Sequence, residues 1–203
     1  MAIAELPALW RQVPTLRGVH ATLEPLREEH VEALRAALEG SGLDRCWYTN
    51  VPAPERVDSY VRAALQAQQE GRVLAFVVRD AAGEIVGSTR FYGLEADVPK
   101  LLIGYTWYAP RVQRSGVNSE CKLMLLGHAF ETLGCISVSF ETSWFNHASR
   151  TAIARLGARQ DGVLRNHKRH ADGSVRDTVV FSILDTEWPA VNIHLRHRLD
   201  IHA

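Results

Sequence analysis

The sequence predicts an α/β domain in which helices and strands alternate and pack on one central sheet. Three observations support this prediction. The chain has 203 residues, which is enough to bury one core and is short for two. Hydrophobic residues make up 46% and charged residues 23%, as in ordinary globular domains. The apolar positions also change repeatedly between helix spacing and strand spacing, with Gly and Pro turn signals between the segments.

The first half of the chain is predicted to contain three strands and two helices. Residues 1–18 are expected to be an arm outside the core. Alternating residues predict a strand first, and two segments with helix spacing follow it. Two further strands are joined by Ala81-Ala82-Gly83, a glycine turn that is typical of a hairpin. The predicted strands are 19–26, 72–80 and 84–93, and the predicted helices are 27–38 and 54–69.

The second half is predicted to contain four strands and three helices. An aromatic strand ends at Pro110, because proline cannot donate a hydrogen bond to a strand ladder. A strongly apolar helix follows, and then a strand, a helix and a second hairpin around Asp172-Gly173. A helical tail, residues 185–203, begins near Trp188. The strands are 100–108, 136–142, 158–168 and 175–184, and the helices before the tail are 117–133 and 146–156.

The loop Gln113-Arg114-Ser115-Gly116-Val117-Asn118 lies between the aromatic strand and the apolar helix, and it is the most informative part of the sequence. A strand, a tight glycine turn and a helix start leave several backbone N–H groups directed at one point. Such a point attracts phosphate oxygens, because the first N–H groups of a helix have no internal partner. The spacing alone fits an ordinary strand-to-helix turn equally well.

This loop resembles the pyrophosphate-binding signature of the GNAT superfamily of acyl-CoA-dependent N-acetyltransferases, Gln/Arg-x-x-Gly-x-Gly/Ala. Gln113 and Gly116 match the signature, and Asn118 stands where the family usually has a small residue. The order of predicted elements is also that of the family, over about residues 19–184. The resemblance implies a mixed, mostly antiparallel central sheet that splays apart between the strands 100–108 and 136–142, with helices on its faces.

A second stretch, Asn146-His147-Ala148-Ser149 followed by Leu156-Gly157-Ala158, resembles the ribosomal-protein N-terminal acetyltransferase-like branch of the family. The resemblance implies acetyl-CoA or another acyl-CoA as cofactor, with its thioester arm in the splay. Asn146 also fits an ordinary helix cap. The residues implied in cofactor binding are Trp107, Tyr108, Gln113, Arg114, Ser115, Gly116, Val117, Asn118, Ser119, Asn146, Ser149 and Arg150.

The resemblance also implies roles in catalysis. A backbone N–H near Tyr105 would polarise the acyl carbonyl, and Ser149 would lie near the sulfur, where many relatives have a tyrosine acid. A base must remove a proton from the incoming ammonium. Glu141, near the end of its strand, is the first candidate, and Glu84 or a relayed water are alternatives. An acceptor pocket is expected from aromatic residues around the splay, namely Trp47, Tyr48, Phe91, Tyr92, Trp107 and Trp144.

Charge and cysteine content limit the other partners. Lys plus Arg and Asp plus Glu both number 23, so a neutral chain gives no general attraction to nucleic acid or to an anionic membrane. Cys46, Cys121 and Cys135 lack metal or disulfide spacing, which favours free thiols in the cytoplasm. Two His pairs have ligand spacing but no Cys or carboxylate companion, so no metal is predicted.

The predicted activity is therefore the transfer of an acyl group, acetyl first, from CoA to a primary amine of a small molecule or a peptide N-terminus. Direct transfer in a ternary complex and a possible homodimer are part of this expectation. A non-catalytic acyl-CoA sensor that binds a protein partner is the alternative from another class. An RNA-binding domain using the basic run 165–170 is a third hypothesis, which the neutral composition disfavours.

Overall fold

One sheet of eight strands organises the part of the chain that the computed structural model describes, residues 6–170 and 172–200. The strands are β1 (Leu16–Arg17), β2 (Ala21–Pro25), β3 (Val73–Asp80), β4 (Ile85–Glu95), β5 (Lys100–Tyr108), β6 (Ser137–Ser143), β7 (Arg159–Arg169) and β8 (Val175–Leu184). Their spatial order is β1-β2-β3-β4-β5-β6-β8-β7. Every neighbouring pair is antiparallel except β5 and β6, which confirms the mixed, mostly antiparallel sheet.

Helices cover both faces of this sheet. They are α1 (Val31–Leu38), α2 (Val57–Gln69), α3 (Gly116–Gly127), α4 (His147–Arg155) and α5 (Trp188–Asp200). The α1 and α2 helices bury Leu34 and Val61 against one face, in a cluster with Val77 of β3. The α3 and α5 helices pack against the other face, where Leu125 and Leu195 join a second cluster. Short 3₁₀ turns precede α1 and α2, so these helices begin later than the sequence predicted.

The β5 and β6 strands pair only at their first residues, and this positions the site. Lys100, Leu101 and Leu102 lie opposite Ser137, Val138 and Ser139, and the recorded pairing stops there. Beyond this point β5 continues beside β4, whereas β6 continues beside β8 as far as Ser143. The sheet therefore opens into a cleft between the two strands, which confirms the predicted splay.

The N-terminal segment belongs to the fold, which corrects the expectation of an arm outside the core. Trp10 is 5% exposed and lies in the core cluster, and β1 pairs with β2 at the sheet edge. The Glu120 carboxylate of α3 accepts hydrogen bonds from the backbone N–H groups of Val19, His20 and Ala21 at 2.7 to 2.8 Å. A two-residue strand is too short for its spacing to be recognised in a sequence. Residues 1–5 of the expected arm lie outside the described residues.

The predicted tail helix is present as α5, which buries Trp188, Val191 and Leu195. Its last predicted residues, 201–203, lie outside the described part of the chain. Among residues 6–170 and 172–200, we find no helix whose length and hydrophobicity would let it cross a bilayer.

Candidate active site

The loop that joins β5 to α3 is held by side chains within the loop. Gln113 Nε2 donates to the Tyr108 carbonyl at 3.0 Å, and Arg114 has a left-handed backbone with φ of 63°. Ser115 is the N-cap of α3: its Oγ accepts from Val117 N at 3.3 Å and donates to the Val112 carbonyl at 2.6 Å. This geometry leaves the remaining N–H groups of the first helical turn available to an anion.

Gly116 opens α3 at a position where no larger residue fits without movement. A Cβ added to it would lie 2.9 Å from Cδ2 of His20. The side chains of Val117 and Ser119 are buried, so these residues offer only backbone groups to a ligand at the helix start. Asn118, by contrast, is partly exposed, and Gln113 and Arg114 lie at the surface.

A β-bulge interrupts β5 inside the splay. Trp107 lies opposite Ser88 and Gly104 opposite Arg90, so two residues of β5, Tyr105 and Thr106, face one residue of β4. Such a bulge leaves one residue unpaired, bends the strand and redirects a side chain. Tyr105 has a φ of 52°, a conformation that costs a non-glycine residue about 1–2 kcal/mol. Its backbone lies where the resemblance places the acyl carbonyl.

Tyrosines and charged groups from both sides of the splay face each other near this bulge. The Tyr105 ring is 42% exposed and contacts the Tyr92 ring at a centroid distance of 5.4 Å. Burial raises the pKa of Tyr92, and the Glu141 charge on β6 raises it further. Burial lowers the pKa of the Arg176 guanidinium on β8, while Glu141 opposes that change. The Glu141 charge therefore acts on Tyr92, a predicted acceptor residue, and Tyr92 in turn contacts the predicted catalytic Tyr105.

Glu141 is an ion-pair partner as well as the candidate base. Its Oε2 lies 2.5 Å from Nζ of Lys168 on β7, and its side chain is mostly buried. Glu84, the alternative base, is exposed in the β3–β4 turn. Of these two carboxylates, Glu141 alone lies beside the splay.

Three residues assigned to the cofactor site lie at the start of α4: Asn146, Ser149 and Arg150. Asn146 Oδ1 accepts from Ser149 N at 3.0 Å, so Asn146 is the helix cap that the sequence predicted. The Ser149 side chain is partly exposed. The Arg150 guanidinium lies 4.4 Å from the centroid of Trp144 and donates to its carbonyl at 3.2 Å. Arg150 is therefore positioned by Trp144.

Three loops bring aromatic rings together around Trp47. The Trp47 ring lies 5.6 Å from Tyr48, 5.3 Å from Phe145 and 4.9 Å from His170, measured between centroids. These residues come from the α1–α2 loop, the loop before α4 and the β7–β8 hairpin. Trp47 and Tyr48, which were both assigned to the acceptor pocket, contact each other, and Phe145 also contacts Trp47.

The assignment of Phe91 to the acceptor pocket is wrong. Phe91 is fully buried against Phe76 on the α3 side of the sheet, at a centroid distance of 5.5 Å. Trp107 and Tyr108 are also core residues, in the α1–α2 cluster and the α3 cluster respectively. Their side chains pack inside the protein, so only their backbones remain available to a cofactor.

Sequence reasoning missed four residues near the splay. Phe145 and His170 contact Trp47, and His170 is buried although it lies at the end of the basic run 165–170. Arg90 and Tyr60 contact each other below the Tyr105 ring. The sequence contained one signal for Arg90, namely a charged residue in the middle of a predicted central strand. The structure buries residues 85–91, and charged residues are seldom fully buried without a partner.

Lys122 of α3 lies below the bulge and has no carboxylate partner among residues 6–170 and 172–200. Its Nζ donates to Thr106 Oγ1 at 3.0 Å, and that hydroxyl lies 2.8 Å from the hydroxyl of Thr89. The residue is 6% exposed, and burial lowers the pKa of Lys122 to about 8.

This buried amine predicts a rise of stability at high pH. Folded Lys122 loses its proton near pH 8, whereas an unfolded lysine keeps it to about pH 10.4. The unfolded chain binds more protons between these values, so this residue's contribution to the unfolding free energy increases across that window. We expect the difference in unfolding free energy between wild type and Lys122→Met to increase by roughly 3 kcal/mol across this pH window. Urea unfolding at several pH values measures this difference. A difference that does not vary with pH would contradict this assignment.

A separate cavity of about 460 Å³ lies between the N-terminal segment, α3 and α5, and includes Arg17, Glu120, His128 and Arg196 in its lining. None of its lining residues is among those that the sequence assigned to the cofactor or the acceptor. Within residues 6–170 and 172–200, no group of three or more His, Cys, Asp or Glu side chains is arranged to hold a metal ion.

Comparison with known proteins agrees with this geometry. A family model described as acetyltransferase (GNAT) domain matches residues 20–159 of the sequence. The chain belongs to the GNAT acetyltransferase family. The splay, the bulge and the α3 start of this GNAT protein all lie within the matched residues.

Three relatives illustrate the family match. Uncharacterized N-acetyltransferase YoaA of Bacillus subtilis (strain 168) is 25% identical over 173 residues, which cover 84% of this chain and 97% of YoaA. The crystal structure of a GCN5-related N-acetyltransferase from Brucella melitensis has a TM-score of 0.84 and 26% identity, covering 93% of this chain and 86% of its own. Mycobacterium smegmatis RimJ, solved in complex with CoA-disulfide, shares the fold with a TM-score of 0.76 and 22% identity. The match covers 94% of this chain and 96% of the RimJ chain.

Family membership gives this GNAT protein a coarse function. It is an acetyltransferase that performs acyl-CoA-dependent N-acetyl transfer, with acetyl-CoA as cofactor.

Proposed function

We propose that this protein transfers acetyl from acetyl-CoA directly to a primary amine of a small molecule or a peptide N-terminus, in a ternary complex. The main support for this proposal is the bulge at Tyr105–Thr106, which lies where β5 separates from β6. A backbone that leaves its ladder inside an open cleft has hydrogen-bonding groups for a ligand. No covalent acyl-enzyme is part of this proposal, because the amine would attack the thioester directly.

The cofactor would lie along this cleft from α3 to the bulge. Backbone N–H groups of Gly116, Val117 and Asn118 would bind the pyrophosphate, while Gln113 and Ser115 hold the loop. The pantetheine arm would pair with the free edge of β5 near Trp107, as an added strand does. Asn146, at the start of α4, would contact its amides from the β6 side. Arg114, Tyr108, Ser119 and Arg150 complete the proposed cofactor site.

The acetyl group would then lie beside Tyr105. A backbone N–H directed at the carbonyl oxygen stabilises the charge that develops during attack, an effect that commonly contributes a few kcal/mol. Glu141 would accept the ammonium proton before attack. Ser149 would donate a hydrogen bond to the departing sulfur. The acceptor would enter past Trp47 and Tyr48, with Tyr92 below it and Trp144 on the α4 side.

Replacement of the base should separate chemistry from binding. We expect Glu141→Gln to lower kcat by at least about a hundredfold, the usual contribution of a general base, with CoA affinity unchanged. Lys168→Met is the matched control, because it removes the ion-pair partner and leaves the carboxylate in place. Rates from a thiol-release assay would compare the two. Equal rates for wild type and Glu141→Gln would remove Glu141 as the base.

The proposed reaction is tested by measuring thiol release while acetyl-CoA and an amine are both varied. The panel would contain free amino acids, polyamines and peptides. Intersecting double-reciprocal lines are expected for a ternary complex. Parallel lines would indicate an acyl-enzyme and contradict the proposal, and tight CoA binding without turnover of any amine would favour a sensor.

We further propose that residues 19–184 carry the catalytic domain, with β1 completing its sheet edge and α5 as its helical tail, and that the protein forms a homodimer in the cytoplasm. Exposed apolar residues on α5 and on the β7–β8 hairpin support the dimer, among them Ile193, Leu164 and Val175. Light scattering would test it, and a monomer at assay concentration would contradict it.

A further inference from the structure

Arg90 occupies an unusual position for a charged residue. It lies inside β4, opposite Gly104 of β5, and is only 6% exposed. Its neighbours on the strand from Ile85 to Phe91 are all buried. A guanidinium at such a place loses its hydration, which is unfavourable unless another group replaces the water.

The protein supplies ring faces for this charge but few acceptors. The guanidinium carbon lies 4.4 Å from the ring centroid of Tyr60 on α2 and 4.6 Å from that of Tyr105. Such contacts stabilise a cation, but they do not accept the N–H donors as a carboxylate does. Neither Nε nor Nη2 of Arg90 has a hydrogen-bond partner in residues 6–170 and 172–200.

A second donor lies at the same place. The hydroxyl of Tyr60, on a ring that the guanidinium covers, is also buried and has no partner among the described residues. Arg176 differs from Arg90, because the Glu141 charge is close enough to raise its pKa. Arg90 and Tyr60 therefore leave donors from two elements, β4 and α2, without acceptors beside the bulge.

We propose that Arg90 and Tyr60 bind a carboxylate of the acceptor, so that the acceptor is an amine carrying a carboxylate close to its nitrogen. This inference rests on the proposed acetyl transfer at Tyr105. One guanidinium and one neutral hydroxyl match the single charge and the two oxygens of a carboxylate. The site lies on the α1–α2 side, whereas the cofactor pyrophosphate belongs to the start of α3 on the other face.

The location also connects recognition with chemistry. Tyr105 contributes its ring to the Arg90 site and its backbone to the bulge. A carboxylate held by Arg90 would fix the attached amine near the acetyl group. Both the α-carboxylate of a free amino acid and an acidic side chain at a peptide N-terminus have this chemistry.

Matched acceptors separate these sources. One pair is a free amino acid and its amide, and the other is a dipeptide amide starting with Asp and one starting with Asn. We expect wild-type kcat/KM to favour the carboxylate member of at least one pair by about a hundredfold. Arg90→Met should reduce that ratio to near one. Arg90→Lys should reduce it to about ten, since lysine keeps the charge but lacks the planar guanidinium that binds both carboxylate oxygens. Tyr60→Phe should lower it about tenfold.

Control variants distinguish a structural role of Arg90 from recognition of the acceptor carboxylate. Arg79→Gln removes an arginine of β3 that pairs with Glu24 outside the site, and it should leave the ratio unchanged. Unaltered CoA affinity verifies that each Arg90 variant is folded, and Tyr60→Phe serves as the test if Arg90→Met does not fold. If Arg90→Met lowers kcat/KM equally for both members of the pair that wild type discriminates, or if the wild-type ratio is near one in both pairs, the proposal is overturned.

The proposed function can fail separately. If no amine is acetylated, calorimetry with the N-acetylated amino acid and its amide still tests Arg90. Tighter binding of the carboxylate form by wild type, lost in Arg90→Met, supports the carboxylate site without turnover. Equal binding of both forms overturns it.

Discussion

Gly116→Leu is expected to weaken CoA binding by about a hundredfold, a loss of roughly 2.7 kcal/mol of binding free energy. The added side chain would begin 2.9 Å from the His20 ring, so the new side chain or the helix start would have to move. Binding of a pyrophosphate there needs close approach of backbone N–H groups, which a bulky side chain prevents. Calorimetric titration with CoA measures the effect.

His20→Ala is the matched control for this variant. It opens the space that a Cβ at position 116 would enter, and it leaves the helix start unobstructed. We expect His20→Ala to bind CoA within about threefold of wild type, and Gly116→Leu combined with it to remain weak. Unchanged CoA affinity in Gly116→Leu would contradict the assignment of the pyrophosphate site to this loop.

Glu120→Ala is expected to lower the unfolding free energy by at least about 3 kcal/mol. Its carboxylate accepts three backbone N–H groups, from Val19, His20 and Ala21, and these donors would be left without a partner. Bonds to a charged acceptor are stronger than neutral ones, and loss of the partner of the buried Ala21 N–H adds to the cost. Urea unfolding measures the change.

Glu131→Ala provides the comparison within the same region. Glu131 accepts one hydrogen bond, from Trp188 Nε1 at 2.8 Å, so its loss should cost about 1 kcal/mol. If Glu120→Ala lies within about 0.5 kcal/mol of wild type, the carboxylate does not hold the N-terminal turn to α3.

Local patterns were sufficient to predict most of the fold. Helix and strand spacing extends over eight or more residues in α2, β4 and β5, so these elements could be identified without tertiary information. Strand β1 could not, because two residues carry no period. Its position depends on Glu120, a residue about one hundred positions away in the sequence.

The cofactor loop was predictable because its residues are contiguous, whereas the acceptor side is assembled from distant segments. Phe91 and Tyr92 are neighbours in β4 and were assigned to one pocket. Adjacent residues of a strand point to opposite faces, so Phe91 packs under α3 while Arg90 and Tyr92 face α1 and α2. The burial of His170 was not predictable from the sequence, because its contact with Trp47 depends on the fold of two loops.

A crystal structure with bound CoA tests the central claim most directly. We expect the pyrophosphate on the first N–H groups of α3, and the sulfur between β5 and β6 beside the Tyr105–Thr106 bulge. CoA bound in the cavity between the N-terminal segment, α3 and α5, with the splay empty, would contradict the account.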